Sequence, residues 1–161
     1  MKNILIAFLI VFFFWGCRKK ECCIPENNYD YSSEIQSIVH NGISREYLIY
    51  FPSSFNGASA APLVLNFHGF GGNFSEYAAY TSMRSLADKE GFILVYPQGS
   101  LMNGYSHWNP SLPSPENKSN ADDFGFVEAL IQQLLNDYVI DSEKIYACGY
   151  SNGGMMSFGL A

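Results

Sequence analysis

The sequence is poor in basic residues and lacks a long hydrophobic run. Nine lysines and arginines stand against fifteen aspartates and glutamates, a formal net charge of -6, and the basic residues form no run beyond residues 18–20. Nucleic-acid binding requires a positive surface, so this balance argues against a nucleic-acid partner. The unbroken apolar run at residues 4–15 is too short to span a bilayer comfortably. A neutral or sugar-linked substrate fits this composition better.

Histidine is also scarce, and the few histidines all lie before the C-terminal part of the sequence. The chain has three histidines, His40, His68 and His107, and all of them precede residue 150. Apolar residues are abundant by contrast: 48% of the 161 residues are hydrophobic and 16% are aromatic. A chain of this composition is not expected to be mainly disordered, and it has enough apolar residues to form one domain with a hydrophobic core.

The first sixteen residues are typical of an export signal. Lys2 gives a positive beginning, an apolar stretch follows, and Gly16 stands directly before Cys17. A small residue before a cysteine at this place resembles a bacterial lipoprotein signal, in which Cys17 would be lipidated. Phe14 and Trp15 depart from that pattern, so ordinary secretion and an uncleaved anchor stay open. Each alternative places the protein outside the cytoplasm, at the cell surface or secreted.

Residues 17–33 form a polar segment that we interpret as a tether between a membrane and a folded domain. Cys22 and Cys23 lie in it. They could form a disulfide with a later cysteine or have no partner. Cys148 is an unconvincing partner because it falls on a predicted buried strand.

Residues 34–161 show an alternation of strands and helices. An N-terminal hairpin turns at Asn41 and Gly42. The pattern then predicts strands at residues 62–67, 92–96 and 145–148, and helices at residues 73–91, 121–138 and from residue 155. Asp122 and Asp123 fall at the start of the middle helix, where acidic residues complement the helix dipole better than they suggest catalysis. This order indicates βαβ units, hence an α/β fold with a parallel sheet.

The sequence around Ser151 predicts a nucleophile. Gly149 and Gly153 stand two residues before and after Ser151, between a predicted strand and a predicted helix. A serine in so tight a turn needs neighbours without a Cβ atom, and the following helix directs free N–H groups toward an anion. The pattern is a G-x-S-x-G nucleophile elbow.

Acyl transfer at a serine also needs two N–H donors for the oxyanion. One is expected from the backbone of Asn152, directly after the nucleophile. The other is expected from Phe70, in the glycine-rich loop that follows the strand at residues 62–67. We interpret the rest of that loop as shaping the oxyanion hole and do not assign the general base to it; these residues are His68, Gly69, Gly71 and Gly72.

Trp108 and Asn109 lie in the middle of a long loop predicted for residues 98–120. Loops of this length in compact domains are usually functional or disordered. Both residues are therefore candidates for substrate contact, with the alternative that Trp108 anchors the loop to the domain.

Five motifs occur together in one order: residues 68–72, 91–97, 108–109, 122–126 and 149–156. Together they resemble the exported polyhydroxybutyrate depolymerase family of esterases, which includes feruloyl and acetylxylan esterase-like enzymes of the α/β-hydrolase fold. The resemblance covers about residues 43–161. It implies a carboxylic ester hydrolase without a metal or an organic cofactor, acting on a polyester or on an ester linked to plant polysaccharide.

The triad of this fold runs serine, acid, histidine, but neither an acid nor a histidine follows Ser151 in this sequence. We therefore expect an incomplete α/β-hydrolase fold: the N-terminal hairpin and parallel βαβ units up to the elbow. The chain would be the N-terminal part of a longer enzyme and close to inactive by itself.

Two other classes of function stay open. One is a serine peptidase or acyltransferase on the same fold, which a different pocket in the missing part would favour. The other is a noncatalytic, surface-anchored binding protein in which the elbow is vestigial. Glycines on both sides of Ser151 and in the loop at residues 68–72 count against the second class.

Overall fold

A computed structural model describes residues 33–111, 114–115 and 118–161. The predicted signal segment, the tether up to residue 32, and Cys17, Cys22 and Cys23 lie outside the described residues. Within the described ranges, every helix is too short or too polar to cross a membrane.

The strands and helices follow one another in the alternation that the sequence predicts. In chain order they are β1 (Ser33–His40), β2 (Ile43–Tyr50), β3 (Ala61–Phe67), α1 (Phe74–Thr81), α2 (Arg84–Glu90), β4 (Ile93–Pro97), β5 (Ser100–Met102), β6 (Tyr105–His107), α3 (Asp123–Asp137), β7 (Ile140–Gly149) and α4 (Asn152–Gly159).

The main sheet has five strands in the order β1-β2-β4-β3-β7. β1 and β2 form the expected hairpin, with Asn41 and Gly42 at positive φ in its turn. β2 is antiparallel to β4, whereas β3 pairs in parallel with β4 on one side and with β7 on the other. The carboxyl ends of β3 and β7 therefore meet at one edge of the sheet, where Phe67 is paired with Gly149.

The central strands are covered on both faces because successive side chains point to opposite sides. On one face the strand residues pack with α3 and α4, through residues such as Phe126, Val127, Leu130, Leu134 and Met156. On the other face they pack with α1 and α2, through Phe74, Ala78 and Ala87. β4 shows the alternation directly: Ile93 and Val95 belong to the first cluster, and Leu94 and Tyr96 to the second.

Two predicted segments are corrected. The helix predicted for residues 73–91 is two helices, because Ser82 adopts a left-handed conformation (φ 48°, ψ 37°) that ends α1. Its start at the Asn73 cap and its stop at Gly91 are as predicted. The loop predicted for residues 98–120 contains the β5–β6 hairpin, whose turn places Asn103 and Gly104 at positive φ. That Asn-Gly pair is itself a hairpin signal.

Candidate active site

Ser151 lies at a sharp turn between β7 and α4, at the carboxyl end of the parallel strands. Its backbone has φ 53° and ψ −117°, a conformation that non-glycine residues rarely adopt. Strained backbone of this kind persists only where neighbouring structure enforces it, and it is characteristic of a nucleophile elbow. The side chain is exposed, and its hydroxyl has no hydrogen-bond partner in the described part of the chain.

The two flanking glycines are required by close packing. A Cβ atom on Gly149 would lie 2.5 Å from the carbonyl carbon of Gly153. A Cβ atom on Gly153 would collide with the carbonyl oxygen of Phe67, at the end of β3. The amide of Tyr150 donates to that same oxygen at 3.2 Å. The backbone of the elbow therefore lies in direct contact with the end of β3. A side chain at either glycine position would prevent this contact.

The loop at residues 68–72, here called the oxyanion loop, lies beside Ser151. A Cβ atom on Gly69 would be 3.6 Å from Cβ of Ser151. The amide of Gly71 donates to the carbonyl of Ser106 at 2.7 Å, and the amide of Gly72 donates to the carbonyl of Gly69 at 3.0 Å. Among the described residues, the amides of Phe70 and Asn152 donate to no turn, loop or cap carbonyl. The two N–H groups that the sequence nominates are thus among the amides that make no such bond.

His68 is buried, with 1% of its surface exposed, and both of its ring nitrogens are engaged. Nδ1 lies 2.7 Å from the carbonyl oxygen of Gly69, and Nε2 accepts from the amide of Gly99 at 2.9 Å. This arrangement assigns the proton to Nδ1. Burial lowers the pKa of His68 below its ordinary value of 6.5. A neutral, fully bonded imidazole holds the oxyanion loop in place and is not available as a general base.

Trp108 is buried and forms the support behind the elbow. Its ring is 1% exposed, packs edge-on against Phe67 and donates from Nε1 to the carbonyl of His68 at 3.0 Å. The side chain of Asn152 accepts from the Trp108 amide at 2.7 Å and donates to the Trp108 carbonyl at 2.9 Å. These contacts give Trp108 the anchoring role that the sequence left open, while substrate contact by Trp108, which also lines a cavity beside Asn152, stays a prediction.

Asn109, the next residue, links this region to the buried start of α3 through hydrogen bonds. Its backbone amide donates to Asp123 at 2.7 Å, and its side chain donates to the carbonyls of Ser119 and Ala121. Asp123 forms a buried ion pair with Arg45 at 2.5 Å. Burial lowers the pKa of Arg45, although the neighbouring Asp123 carboxylate opposes that shift.

Both aspartates lie at the start of α3, as the sequence predicts, but their side chains have different partners. Asp122 caps α3 by accepting from the Gly125 amide, but Asp123 points into the core, toward Arg45. A sequence signal for this pair exists on β2. Side chains alternate between the two faces of a strand, so Arg45 lies on the same face of β2 as Tyr47 and Ile49. Those two residues belong to the core, and the Arg45 side chain is therefore expected to point into the core as well. A buried arginine then requires a buried carboxylate.

The remaining histidines are engaged elsewhere. His40 Nε2 lies 2.9 Å from Asp122 at the start of α3. His107 Nδ1 lies 2.9 Å from the carbonyl of Ser100, and Nε2 lies 2.6 Å from the hydroxyl of Ser119. No histidine of the chain is bonded to Ser151. In the described ranges, His, Cys, Asp and Glu side chains form no group of three that could hold a metal ion.

Two cavities meet at Phe70. One, here called the aromatic pocket, has a volume of about 300 Å³, and its side-chain lining includes Phe70, Glu76, Tyr77, Tyr80 and Tyr150. The other measures about 310 Å³, and its lining combines polar side chains such as Asn109 and Asn152 with the apolar side chains of Phe70, Met102 and Trp108. A larger cavity of about 1030 Å³ lies beside Arg45 and Ser100, but neither Ser151 nor Phe70 lines it. The elbow contributes Tyr150 to the lining of one pocket and Asn152 to that of the other, whereas Ser151 itself lines neither.

Residues 45–161 match the model of the family described as esterase PHB depolymerase. The match covers almost three quarters of the sequence and includes all five motifs. A bifunctional acetylxylan esterase/xylanase of Neocallimastix patriciarum is 33% identical over 117 residues, 73% of this chain and 16% of that protein. A feruloyl esterase B of Piromyces equi is 31% identical over 113 residues, 70% of this chain and 20% of that protein.

Solved structures share the fold. An acetyl xylan esterase from Aspergillus awamori superposes with a TM-score of 0.61 at 24% sequence identity, over 80% of this chain and 46% of that one. The predicted α/β-hydrolase fold is confirmed. The chain spans less than half of the length of each of these three relatives.

Proposed function

The chain belongs to the esterase PHB depolymerase family, and from this membership we propose that it is the N-terminal part of an exported serine carboxylic ester hydrolase. The observation that carries the proposal is the strained, exposed Ser151 beside an oxyanion loop with free amides at Phe70 and Asn152. These are two of the elements that acyl transfer at a serine requires, besides a general base.

In this proposal the Ser151 Oγ attacks the ester carbonyl carbon while a general base takes its proton. The carbonyl oxygen becomes an oxyanion, and the amides of Phe70 and Asn152 stabilise it. The C–O bond to the alcohol then breaks, and the alcohol leaves with the proton. Water attacks the acyl-enzyme in the same way and releases the acid and free Ser151. We assign the base to a histidine outside this chain, because His40, His68 and His107 are all engaged away from Ser151.

The substrate class follows from the relatives. We propose an ester linked to plant polysaccharide, as in acetylxylan or feruloyl esterases, or a polyester, with no nucleic-acid partner. Residues 1–16 act as the export signal, residues 17–33 as the tether, and residues 34–161 as the N-terminal part of the catalytic domain. Membrane contact occurs through lipid on Cys17, which favours a cell-surface lipoprotein over a freely secreted enzyme.

The test uses the longer protein that contains this chain, with 4-nitrophenyl acetate as substrate. We expect Ser151→Ala to lower kcat by at least about 10⁴-fold. Ser142→Ala, at an exposed position of β7, serves as the matched control and should leave the rate unchanged. A fluorophosphonate probe should label the parent protein but not the Ser151→Ala variant. Undiminished hydrolysis by Ser151→Ala would refute the mechanism.

A further inference from the structure

The buried guanidinium of Arg45 makes hydrogen bonds in two directions. On one side, Nη1 lies 2.5 Å from Oδ1 of Asp123. On the other side, Nη2 donates to the backbone carbonyl of Gln98 at 2.8 Å, and Nε donates to the same oxygen at 3.3 Å. Arg45 belongs to β2, Gln98 directly follows β4, and Asp123 is the first residue of α3. One side chain therefore joins three elements.

Gln98 connects Arg45 to the oxyanion loop. The Gln98 side chain donates from Nε2 to the carbonyl of Gly72 at 3.4 Å. The amide of the next residue, Gly99, donates to Nε2 of His68 at 2.9 Å. His68 and Gly72 are the two ends of the loop that carries one of the proposed oxyanion amides. Arg45, which binds the Gln98 carbonyl, thus holds the segment that fixes both ends of this loop.

Asp123 connects Arg45 to the elbow. Its second carboxylate oxygen, Oδ2, accepts from the amide of Asn109 at 2.7 Å. Asn109 follows Trp108, whose amide and carbonyl both bond to the side chain of Asn152. The backbone of Asn152 carries the other proposed oxyanion amide. A continuous series of contacts therefore runs from Arg45 to both of the N–H donors.

The orientation of the guanidinium is fixed by aromatic rings as well. Its central carbon lies 3.7 Å from the centroid of the Phe126 ring and 5.4 Å from that of the Trp108 ring, within the range of cation–π contacts. Only 7% of the Arg45 side chain is exposed, and the Asp123 side chain is fully buried. A planar group that is bonded on both sides and stacked on rings has little freedom to move.

Stability alone does not account for a charged pair at this position. The cost of desolvating two buried charges offsets their attraction, so apolar residues of similar volume often stabilise a core equally well. Apolar residues could not supply the directed hydrogen bonds to the Gln98 carbonyl and, through Asp123, to the Asn109 amide. These bonds are the property that distinguishes Arg45 from an apolar core residue.

We propose that Arg45 is a positioning residue of the oxyanion hole and keeps the two N–H donors, those of Phe70 and Asn152, at a fixed separation. The proposal rests on the proposed ester hydrolase function and goes beyond it, because it gives a buried residue of β2 a role in the rate of the reaction. The oxyanion exists in the transition states and tetrahedral intermediates but not in the bound ester. Misplaced donors therefore lower kcat and leave KM almost unchanged.

The first test is Arg45→Lys in the longer protein, with 4-nitrophenyl acetate as substrate. Lysine keeps the charge, but its single nitrogen cannot reproduce the planar fork that bonds on two sides. We expect kcat to fall about 30-fold with little change in KM, since both donors lose their fixed position but neither is deleted. A kcat equal to that of the parent protein would overturn the proposal.

Leu134→Ala is the matched control for a loss of stability. Leu134 is fully buried near the C-terminal end of α3, whereas Asp123 lies at its N-terminal end. The cavity left by Leu134→Ala should lower the melting temperature. Its kcat should equal that of the parent protein, because the change does not touch the contacts between Arg45 and the donors.

A double-mutant cycle separates positioning from a general loss of structure. Arg45→Lys and Asn152→Ala both loosen the N–H donor of residue 152, so the double variant should lose less kcat than the product of the two single losses. Leu134→Ala combined with Asn152→Ala should give the full product of its single effects. Multiplicative losses in the Arg45→Lys, Asn152→Ala variant would contradict the proposal.

Gln98→Met decides the question if Arg45→Lys does not fold. It removes the side-chain bond to Gly72, whereas the carbonyl of residue 98 can still accept from Arg45. We expect kcat to fall about tenfold with KM unchanged, because only the oxyanion loop is loosened. An unchanged kcat in Gln98→Met overturns the proposal.

The Ser151→Ala variant distinguishes a failure of this inference from a failure of the proposed function. If Ser151→Ala hydrolyses 4-nitrophenyl acetate as the parent protein does, the proposed function fails. If Ser151→Ala is inactive and Arg45→Lys keeps the kcat of the parent protein, the positioning role alone is overturned.

Discussion

At the scale of single residues, the backbone of Ser151 is strained, and hydrogen bonds of neighbouring residues hold it in this conformation. Left-handed or otherwise sparse conformations cost about 1–3 kcal/mol in a non-glycine residue. The hydrogen bonds from Tyr150 to Phe67 and from Gly153 to Tyr150 close the turn around the serine. The amides of Phe70 and Asn152 donate to no turn, loop or cap carbonyl in the described part of the chain, which fits the oxyanion-hole role that we propose for them.

The Asn152 side chain fixes the position of its own backbone amide. Its two hydrogen bonds to Trp108 tie the first residue of α4 to a tryptophan that is held by His68 and Phe67. Asn152→Ala removes both hydrogen bonds. The backbone N–H of residue 152, the proposed oxyanion donor, is kept, but its position is less rigidly held.

We expect Asn152→Ala to lower kcat about tenfold with little change in KM, less than the 10²–10³-fold loss caused by deleting a donor outright. Steady-state kinetics on 4-nitrophenyl acetate with the longer protein measure this split. Gln132→Ala, which removes an exposed amide from α3, is the control. A kcat equal to that of the parent protein would show that the side chain has no positioning role.

At the scale of elements, the β5–β6 hairpin stabilises the oxyanion loop from outside it, whereas α3 is joined to the β1–β2 hairpin. Ser106 on β6 accepts from the Gly71 amide through its carbonyl, and its hydroxyl donates to the carbonyl of Gly72. The Tyr105 ring stacks on Phe70 at 5.7 Å. The start of α3 is joined to β2 by the Arg45–Asp123 pair and to the β1–β2 turn by the His40–Asp122 contact.

The start of α3 should therefore weaken in acid. The His40 contact, and next the Gly125 amide, lower the pKa of Asp122 below its ordinary value of 3.8. A carboxyl whose folded pKa is depressed adds stability above its unfolded pKa and loses that contribution as pH falls through the folded pKa. We thus expect the contribution to be full near pH 5 and to disappear below the ordinary value of 3.8.

Urea unfolding of the longer protein at pH 5 and pH 3 tests this expectation. Asp122→Asn keeps a capping side chain but cannot titrate, so its stability should fall less than that of the parent protein between the two pH values. Asp122→Ala should cost about 1 kcal/mol at pH 5 through the lost cap. Glu128→Gln, an exposed position in the middle of α3, should show the parent's pH response. Identical pH responses of Asp122→Asn and the parent would contradict the prediction.

At the scale of the whole molecule, one edge of the sheet is apolar and is left uncovered by the described residues. β7 is an edge strand, and its Tyr146 is 54% exposed. Beside it, Met155 and Phe158 of α4 are 62% and 86% exposed. An edge strand with exposed apolar side chains is a template for pairing with another chain. In the longer protein that we propose, further chain would cover this surface.

We expect residues 33–161, expressed alone, to self-associate and to bind the hydrophobic dye ANS, whereas the longer protein should do neither. The fragment should also be close to inactive on 4-nitrophenyl acetate, because removal of a triad member leaves about 10³–10⁴-fold catalysis over water. Light scattering, dye fluorescence and the esterase assay measure the three effects. Phe158→Lys should reduce the association. A monomeric, dye-negative fragment would count against an uncovered interface.

Much of the fold could be predicted because it depends on local patterns. The Asn41–Gly42 turn, the apolar strands and the Asn73 and Gly91 ends of the helical region all follow from residues within a few positions of each other. The break at Ser82 and the β5–β6 hairpin were missed. Ser82 carries no strong stop signal, and the Asn103–Gly104 signal lies within a stretch that reads as a loop.

The sequence by itself determined the elbow, because a serine between glycines at a strand–helix junction has few other physical solutions. It also determined the α/β class, through the alternation of strand and helix patterns. Tertiary structure alone decided the partners across long separations: Trp108 with Asn152, and Asp123 with Arg45. The physical reason is that local patterns fix which face a side chain takes, whereas contacts between distant residues depend on how the sheet brings its strand ends together.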